Sequence, residues 1–232
     1  MSEELADSVP EHHDNGISPM RFVIPASLVS VGAFAVCNRK LNKINHAVRD
    51  RFEHIRGECR FHADDYIQYL PAFAYIGLDG IGIEAEHTFR ERLVAGTAAY
   101  VIMASVVNIT KYSIHERRPD SSTRNSFPSG HTATAFTGAE LVRMEYGWVA
   151  GVGAYTIASG VAFLRLYNDR HWLNDVVAGI GIGILSARLA YILLPYCKKW
   201  LGWTDKKTIT ASIIPTCNLT QNTIVLNGRI VF

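Results

Sequence analysis

Leu93-Val-Ala-Gly-Thr-Ala-Ala-Tyr-Val-Ile-Met-Ala-Ser-Val-Val-Asn108 contains no charged residue, and the uncharged run continues to Thr110, eighteen residues in all. A helix packed on the surface of a water-soluble protein needs a polar stripe at a period of 3.6 residues. This stretch has none, and it is about as long as the hydrocarbon core of a bilayer requires. Tyr146–Leu164 repeats the pattern with nineteen uncharged residues. Four weaker runs accompany these two: Phe22–Cys37, Tyr66–Ile83 interrupted by Asp79, Thr132–Ala139 followed by Glu140, and Val176–Cys197 broken by Arg188. Glycines crowd the last of these, and Gly179 and Gly183 form a G-x-x-x-G pair suited to close packing of membrane helices. The runs predict an all-α fold, a six-helix transmembrane bundle over residues 20–197. A soluble helical protein is the weaker alternative.

The flanking segments differ in character. Residues 1–19 are polar and acidic, with no Lys or Arg, so no cleavable signal peptide is read there. Between the first two runs, Leu41, Ile44, Val48, Phe52 and Ile55 fall on one helical face amid six basic residues. An amphipathic helix over 39–56 lying in the membrane interface fits this spacing. The C-terminal tail, 198–232, holds two β-prone stretches around Asn218–Asn222, the pattern of a short β-hairpin.

Composition narrows the function. The 232 residues are 48% hydrophobic and 19% charged, with 23 Lys plus Arg against 21 Asp plus Glu. Such balance argues against a nucleic-acid partner. The four cysteines, Cys37, Cys59, Cys197 and Cys217, lack C-x-x-C spacing and read as unpaired small apolar residues, with a Cys37–Cys59 bridge left open.

Three clusters at the ends of the runs carry chemistry. Lys111 and Arg118 are seven residues apart; were the third helix to continue to Pro119, they would share a face and could grip an anion. Pro128-Ser129-Gly130-His131 is a turn followed by a helix start, where backbone N–H groups and the helix dipole suit a phosphate. Gly130 admits a close backbone approach, Ser129 adds a hydroxyl, and His131 can transfer a proton. In the third cluster, Arg165 adds a guanidinium and His171 pairs at i,i+4 with Asp175. Each cluster alone has a plain structural reading: interface anchors, a capped helix start, a structural His–Asp pair. Six helices of alternating direction bring all three to one membrane face. Cations, backbone donors and two histidines together describe a phosphoryl-transfer pocket. Lys and Arg would repel a metal ion, so no metal and no cofactor is expected.

These residues resemble the three motifs of the type 2 phosphatidic acid phosphatase (PAP2) superfamily, K-x6-R-P, P-S-G-H and S-R-x5-H-x3-D. Here they stand as Lys111-x6-Arg118-Pro119, Pro128-Ser129-Gly130-His131 and Arg165-x5-His171-x3-Asp175. Leu164 replaces the motif serine. The resemblance implies a metal-independent membrane phosphatase acting on a lipid phosphomonoester or diphosphate: phosphatidic acid, phosphatidylglycerol phosphate, a polyprenyl diphosphate or a lipid A phosphate. It implies His171 as nucleophile, forming a phosphohistidine, Asp175 as its orienting partner, and His131 as general acid and base. Lys111, Arg118, Ser129, Gly130 and Arg165 would hold phosphoryl oxygens. Soluble acid phosphatases and vanadium haloperoxidases carry related motifs, and a non-catalytic membrane binding protein is the remaining alternative. Basic residues divide evenly between the two faces once Lys111, Arg118 and Arg165 are set aside, so charge sets no orientation. Resemblance to bacterial members implies an inner-membrane protein with a periplasmic or extracellular site.

Overall fold

The structure is a computed structural model that describes residues 20–57, 59–203, 210–218 and 223–231. The acidic N-terminal tail, residues 1–19, lies outside the described residues. The chain divides into two compact units, Met1–Leu194 and Pro195–Phe232.

Seven α-helices are described: α1 Met20–Cys37, α2 Arg39–Arg56, α3 Asp64–Ile67, α4 Leu70–Gly77, α5 Phe89–Ile114, α6 Gly130–Tyr167 and α7 Leu173–Trp200. Four of them, α1, α5, α6 and α7, are long and apolar enough to cross a membrane. Their outer faces match that reading: Val23, Ile24, Val31, Phe34, Val101, Ile109, Val149, Val152 and Phe163 are all exposed. A soluble protein would not leave so much contiguous apolar surface in water. The chain reads as an integral membrane protein.

The 38 residues of α6 are two antiparallel arms. Gly147 breaks the helix with φ 78° and ψ −172°, a conformation open to glycine. Across the break, Tyr155 donates to Glu140 Oε2 at 2.5 Å, and the Phe136 and Tyr155 rings lie 5.7 Å apart. In a straight helix residues fifteen positions apart would be about 22 Å apart. The fourth and fifth apolar runs are therefore the arms 130–146 and 148–167. The second run is helical but fragmented. From 64 to 81 the chain passes through α3, α4 and a 3₁₀ turn, with helical backbone angles at Gln68, Tyr69 and Leu78.

Contacts fix the direction of each element. Glu86 and His87, just before α5, bond to Glu145 at the end of the first α6 arm. Asp65 meets His131 and Arg165, while Tyr75 bonds to Arg92. The 64–81 segment thus descends, α5 ascends, the α6 arms descend and ascend, and α7 descends. A Cβ on Gly32 would meet Ala178, and Arg21 accepts from Arg188, so α1 runs antiparallel to α7. Residues 111–131 and 165–175 consequently share one end of the bundle.

The charges that interrupt the apolar runs are paired, Glu140 and Arg188 inside the bundle and Asp79 from its exposed position. Glu140, fully buried, accepts both Arg143 bonds at 2.7 Å and one from Arg188 at 2.5 Å. Asp79 pairs with buried Arg92 at 2.6 Å. A charge in apolar surroundings is tolerated only with such partners.

Helix α2 occupies the predicted span. Asn38 caps it through Lys40 N–H and Leu41 N–H, and Gly57 ends it. It ties to the site end through Arg49 to Asp169 at 3.1 Å and Arg56 to the Tyr167 carbonyl at 2.8 Å, leaving Ile44 and Ile55 exposed. Cys37 and Cys59 are free thiols.

In the second unit, β1 Thr210–Asn218 and β2 Thr223–Val231 pair antiparallel, with Thr210 opposite Val231 and Asn218 opposite Thr223. The residues between them, 219–222, lie outside the described residues.

Candidate active site

His171 and Asp175 meet as their spacing predicts, but not on one helix. His171 stands before α7, and Trp172 is the residue whose carbonyl accepts the first helical bond, from Val176. Asp175, three residues on, reaches back to Trp172 N–H at 2.9 Å, the rear half of a capping box. The same oxygen, Oδ2, accepts from Ser126 Oγ at 2.5 Å and lies 3.3 Å from His171 Nδ1. Both residues are buried. With Nδ1 on the carboxylate, Nε2 is the nitrogen left for chemistry. Burial first, then the charges of Lys111, Arg118 and Arg165, hold the His171 imidazole well below the usual histidine range. It is neutral at neutral pH, as a nucleophile must be.

Lys111 and Arg118 do not share a helix face. Helix α5 stops at Ile114, because His115 adopts a left-handed conformation (φ 53°) and closes the end through a bond to the Lys111 carbonyl. The predicted stop at Pro119 is thus four residues late. The loop brings the two cations together by another route. Asn125 accepts from Lys111 Nζ through its carbonyl at 2.7 Å and from Arg118 Nε through its side chain at 3.1 Å.

The start of α6 is stitched to α7. Ser129 N–H donates to the Asp175 carbonyl at 3.0 Å. A Cβ on Gly179 would lie 2.7 Å from the Ser129 carbonyl oxygen, and one on Gly183 would lie 2.7 Å from that of Ala133. The G-x-x-x-G pair is what lets the two helices approach this closely. The buried Ser129 hydroxyl bonds to Thr132 at 2.9 Å. At Gly130 the protein itself does not demand glycine: an added Cβ would meet only Val107, at 3.8 Å.

His131 and Arg165 converge on an acidic pair, Asp64 and Asp65, that lies outside all three motifs. Asp65 Oδ1 lies 2.9 Å from His131 Nε2 and 3.2 Å from an Arg165 nitrogen. Asp64, fully buried, pairs with Arg165 at 2.5 Å. Asn168 holds this segment by bonds to both Phe61 backbone groups and to Asp64. An acidic pair ahead of an apolar run looks like an ordinary solvated helix start, so nothing marked it. Glu116, between Lys111 and Arg118 in the first motif, also turns inward. Its carboxylate accepts from Asn174 and faces Asp175. Burial first, then the Asp175 charge, pushes its carboxyl well above the usual carboxylate range.

All eight residues singled out in the sequence therefore lie at one end of the bundle. Among the described residues no group of three or more His, Cys, Asp or Glu side chains could hold a metal ion. The arrangement offers a neutral imidazole nitrogen, a second imidazole and three cations within electrostatic reach of the first.

The sequence profile of the PAP2 superfamily matches residues 92–199, which contain all three motifs. The chain is 35% identical over 184 residues to a Lipid A 1-phosphatase of Porphyromonas gingivalis, covering 75% of this chain and 39% of that protein. It thus spans about two fifths of that relative's length. The crystal structure of a transmembrane PAP2 type phosphatidylglycerolphosphate phosphatase from Bacillus subtilis matches 76% of this chain and 96% of its own, with a TM-score of 0.56 and 20% identity. Aquifex aeolicus LpxE matches 62% of this chain and 93% of its own, with a TM-score of 0.48 and 21% identity. Residues 92–199, the segment that carries all three motifs, are thus similar to the PAP2 superfamily.

Proposed function

We propose that the protein is a membrane lipid phosphate phosphatase working through a phosphohistidine. The observation that carries this is the juxtaposition of a buried, neutral His171 on Asp175 with Lys111, Arg118 and Arg165. His171 Nε2 attacks phosphorus as the ester P–O bond breaks, and His131 gives its proton to the departing oxygen. A water then attacks phosphorus, the P–N bond breaks, and His131 takes the water's proton. The three cations, with Gly130 and the start of α6, stabilise the equatorial oxygens. Asp175 orients His171 and, with its Ser126 and Trp172 bonds, cannot swing away. Ser129, beside Gly130, contributes its hydroxyl, which the bond to Thr132 positions.

The bundle is read as six crossings: α1, the 64–81 segment, α5, the two α6 arms and α7. Residues 20–197 form the catalytic domain, between an N-terminal tail (1–19) and a C-terminal tail (198–232). Helix α2 lies in the interface beside the site, its cations facing anionic headgroups. An inner-membrane location with the site on the periplasmic face follows from the kinship with bacterial members. Likeness to a Lipid A 1-phosphatase makes a lipid A phosphate the first substrate to test.

The test is phosphate release by purified protein in detergent from lipid A, phosphatidic acid, phosphatidylglycerol phosphate and a polyprenyl diphosphate. Release from one lipid, lost in His171→Ala, is the expected result. Folded protein that releases nothing from any lipid, or a fully active His171→Ala, overturns the reading.

A further inference from the structure

We propose that Asp65 is the positioning residue of His131, so that the site contains two His–carboxylate pairs rather than one. The proposal rests on the phosphatase reading above. Asp65 lies 66 residues before His131 in the chain, outside all three motifs, and reaches the site from α3. One carboxylate oxygen, Oδ1, takes both His131 Nε2 at 2.9 Å and the Arg165 guanidinium at 3.2 and 3.4 Å. The carboxylate is itself held in place. Asp64, its neighbour, is fully buried against Arg165 and Asn168, and Asn168 clamps the Phe61 backbone. The segment that presents Asp65 is therefore anchored on the loop that carries His171.

The consequence concerns which nitrogen moves the proton. A carboxylate on Nε2 keeps that nitrogen protonated in both charge states of the ring. Nδ1 is then the atom that exchanges its proton. In the first step Nδ1–H passes to the oxygen leaving phosphorus; in the second the Nδ1 lone pair takes a proton from water as the new P–O bond forms. His171 uses the opposite arrangement, with Nδ1 on Asp175 and Nε2 free. The groups facing His131 are Asp65 from α3, Arg165 from the second α6 arm and His171 from the following loop. Arg165 opposes an imidazolium there. Asp65 is the one anion among them, and it offsets part of that opposition in the state that must donate.

The experiment compares wild type, Asp65→Asn and Asp65→Glu by pH–rate profile and by ¹⁵N NMR of histidine-labelled protein in detergent. Asp65→Asn is expected to lower kcat by roughly 10- to 100-fold, within the range for general acid–base groups, with KM little changed. The alkaline limb of its profile should move to lower pH, and Asp65→Glu should restore most of the rate. In wild type the neutral His131 ring should be the Nε2–H tautomer. A lowered KM with undiminished kcat in Asp65→Asn would mean that Asp65 merely blocks the phosphate site, which overturns the proposal, as does an unmoved limb. An Nδ1–H tautomer overturns it too. The tautomer needs neither a folded variant nor a known substrate. If no lipid phosphate is turned over, the function fails and the tautomer still decides the role of Asp65.

Discussion

Replacing Gly179 by alanine tests whether the α6–α7 contact sets the geometry of catalysis. A Cβ there would lie 2.7 Å from the Ser129 carbonyl oxygen, 3.2 Å from Thr132 Cβ and 3.4 Å from Ala133 N. Ordinary contact begins near 3.4 Å, so the helices must part by up to about 0.7 Å. None of the three atoms is a flexible side-chain end that could yield instead. Overpacking of this kind costs about 1–3 kcal/mol, which a folded bundle can survive. The catalytic cost is larger. Asp175 lies one turn before Gly179, and His131 follows Ser129 by two residues, so the displacement falls directly between the two histidines. A misplacement near 1 Å costs about 100-fold in rate, and we expect roughly a 10- to 100-fold loss in kcat for Gly179→Ala. The control is Gly153→Ala, where an added Cβ meets nothing within 4 Å. Initial rates on the identified lipid phosphate, with thermal unfolding of each variant, provide the assay. A Gly179→Ala enzyme with wild-type kcat would refute the reasoning.

Other outcomes follow from the same structure. Glu140→Ala leaves Arg143 and Arg188 without their shared buried carboxylate, which should cost about 3–5 kcal/mol; an unchanged midpoint in thermal unfolding would contradict the pairing. The pH–rate profile should be bell-shaped, its acid limb reporting His171 protonation well below the usual histidine value of about 6.5 and its alkaline limb reporting loss of the His131 proton. The sign for stability agrees. Below pH about 6.5 the unfolded chain takes up a proton at His171 that the folded chain refuses, so stability falls as pH falls toward the lowered folded value. A profile flat from pH 5 to 8, with chemistry rate-limiting, would count against this assignment. Excess EDTA should leave phosphate release unchanged, and a loss restored by one divalent cation would point to a metal-dependent reaction.

Much of this architecture could be read from the chain because membrane helices write themselves as charge-free runs. Leu93–Thr110 and Tyr146–Leu164 became α5 and the second arm of α6 for that reason. The weak runs were harder because their charges pair inward. Asp79, Glu140 and Arg188 looked like interruptions, yet Asp79 pairs with Arg92, and Arg143, Tyr155 and Arg188 itself all converge on Glu140. The hairpin at Gly147 rests on one left-handed glycine, which periodicity does not register. In the site, spacing identified His171, Asp175, Lys111 and Arg118, since each sits close to its motif partner in sequence. It misjudged the path between Lys111 and Arg118, because a left-handed His115 ends α5 early and Asn125 supplies the link. Asp64 and Asp65 reach the site only through tertiary folding, and their local sequence carries no mark of it.

The most direct test of the central claim is chemical trapping of the intermediate. Enzyme mixed with ³²P-labelled lipid phosphate and quenched within one turnover should carry label that is stable to base and labile to acid, on the peptide containing His171, and His171→Ala should carry none. Turnover that proceeds in wild type without such label, or label found on another residue, would contradict the account.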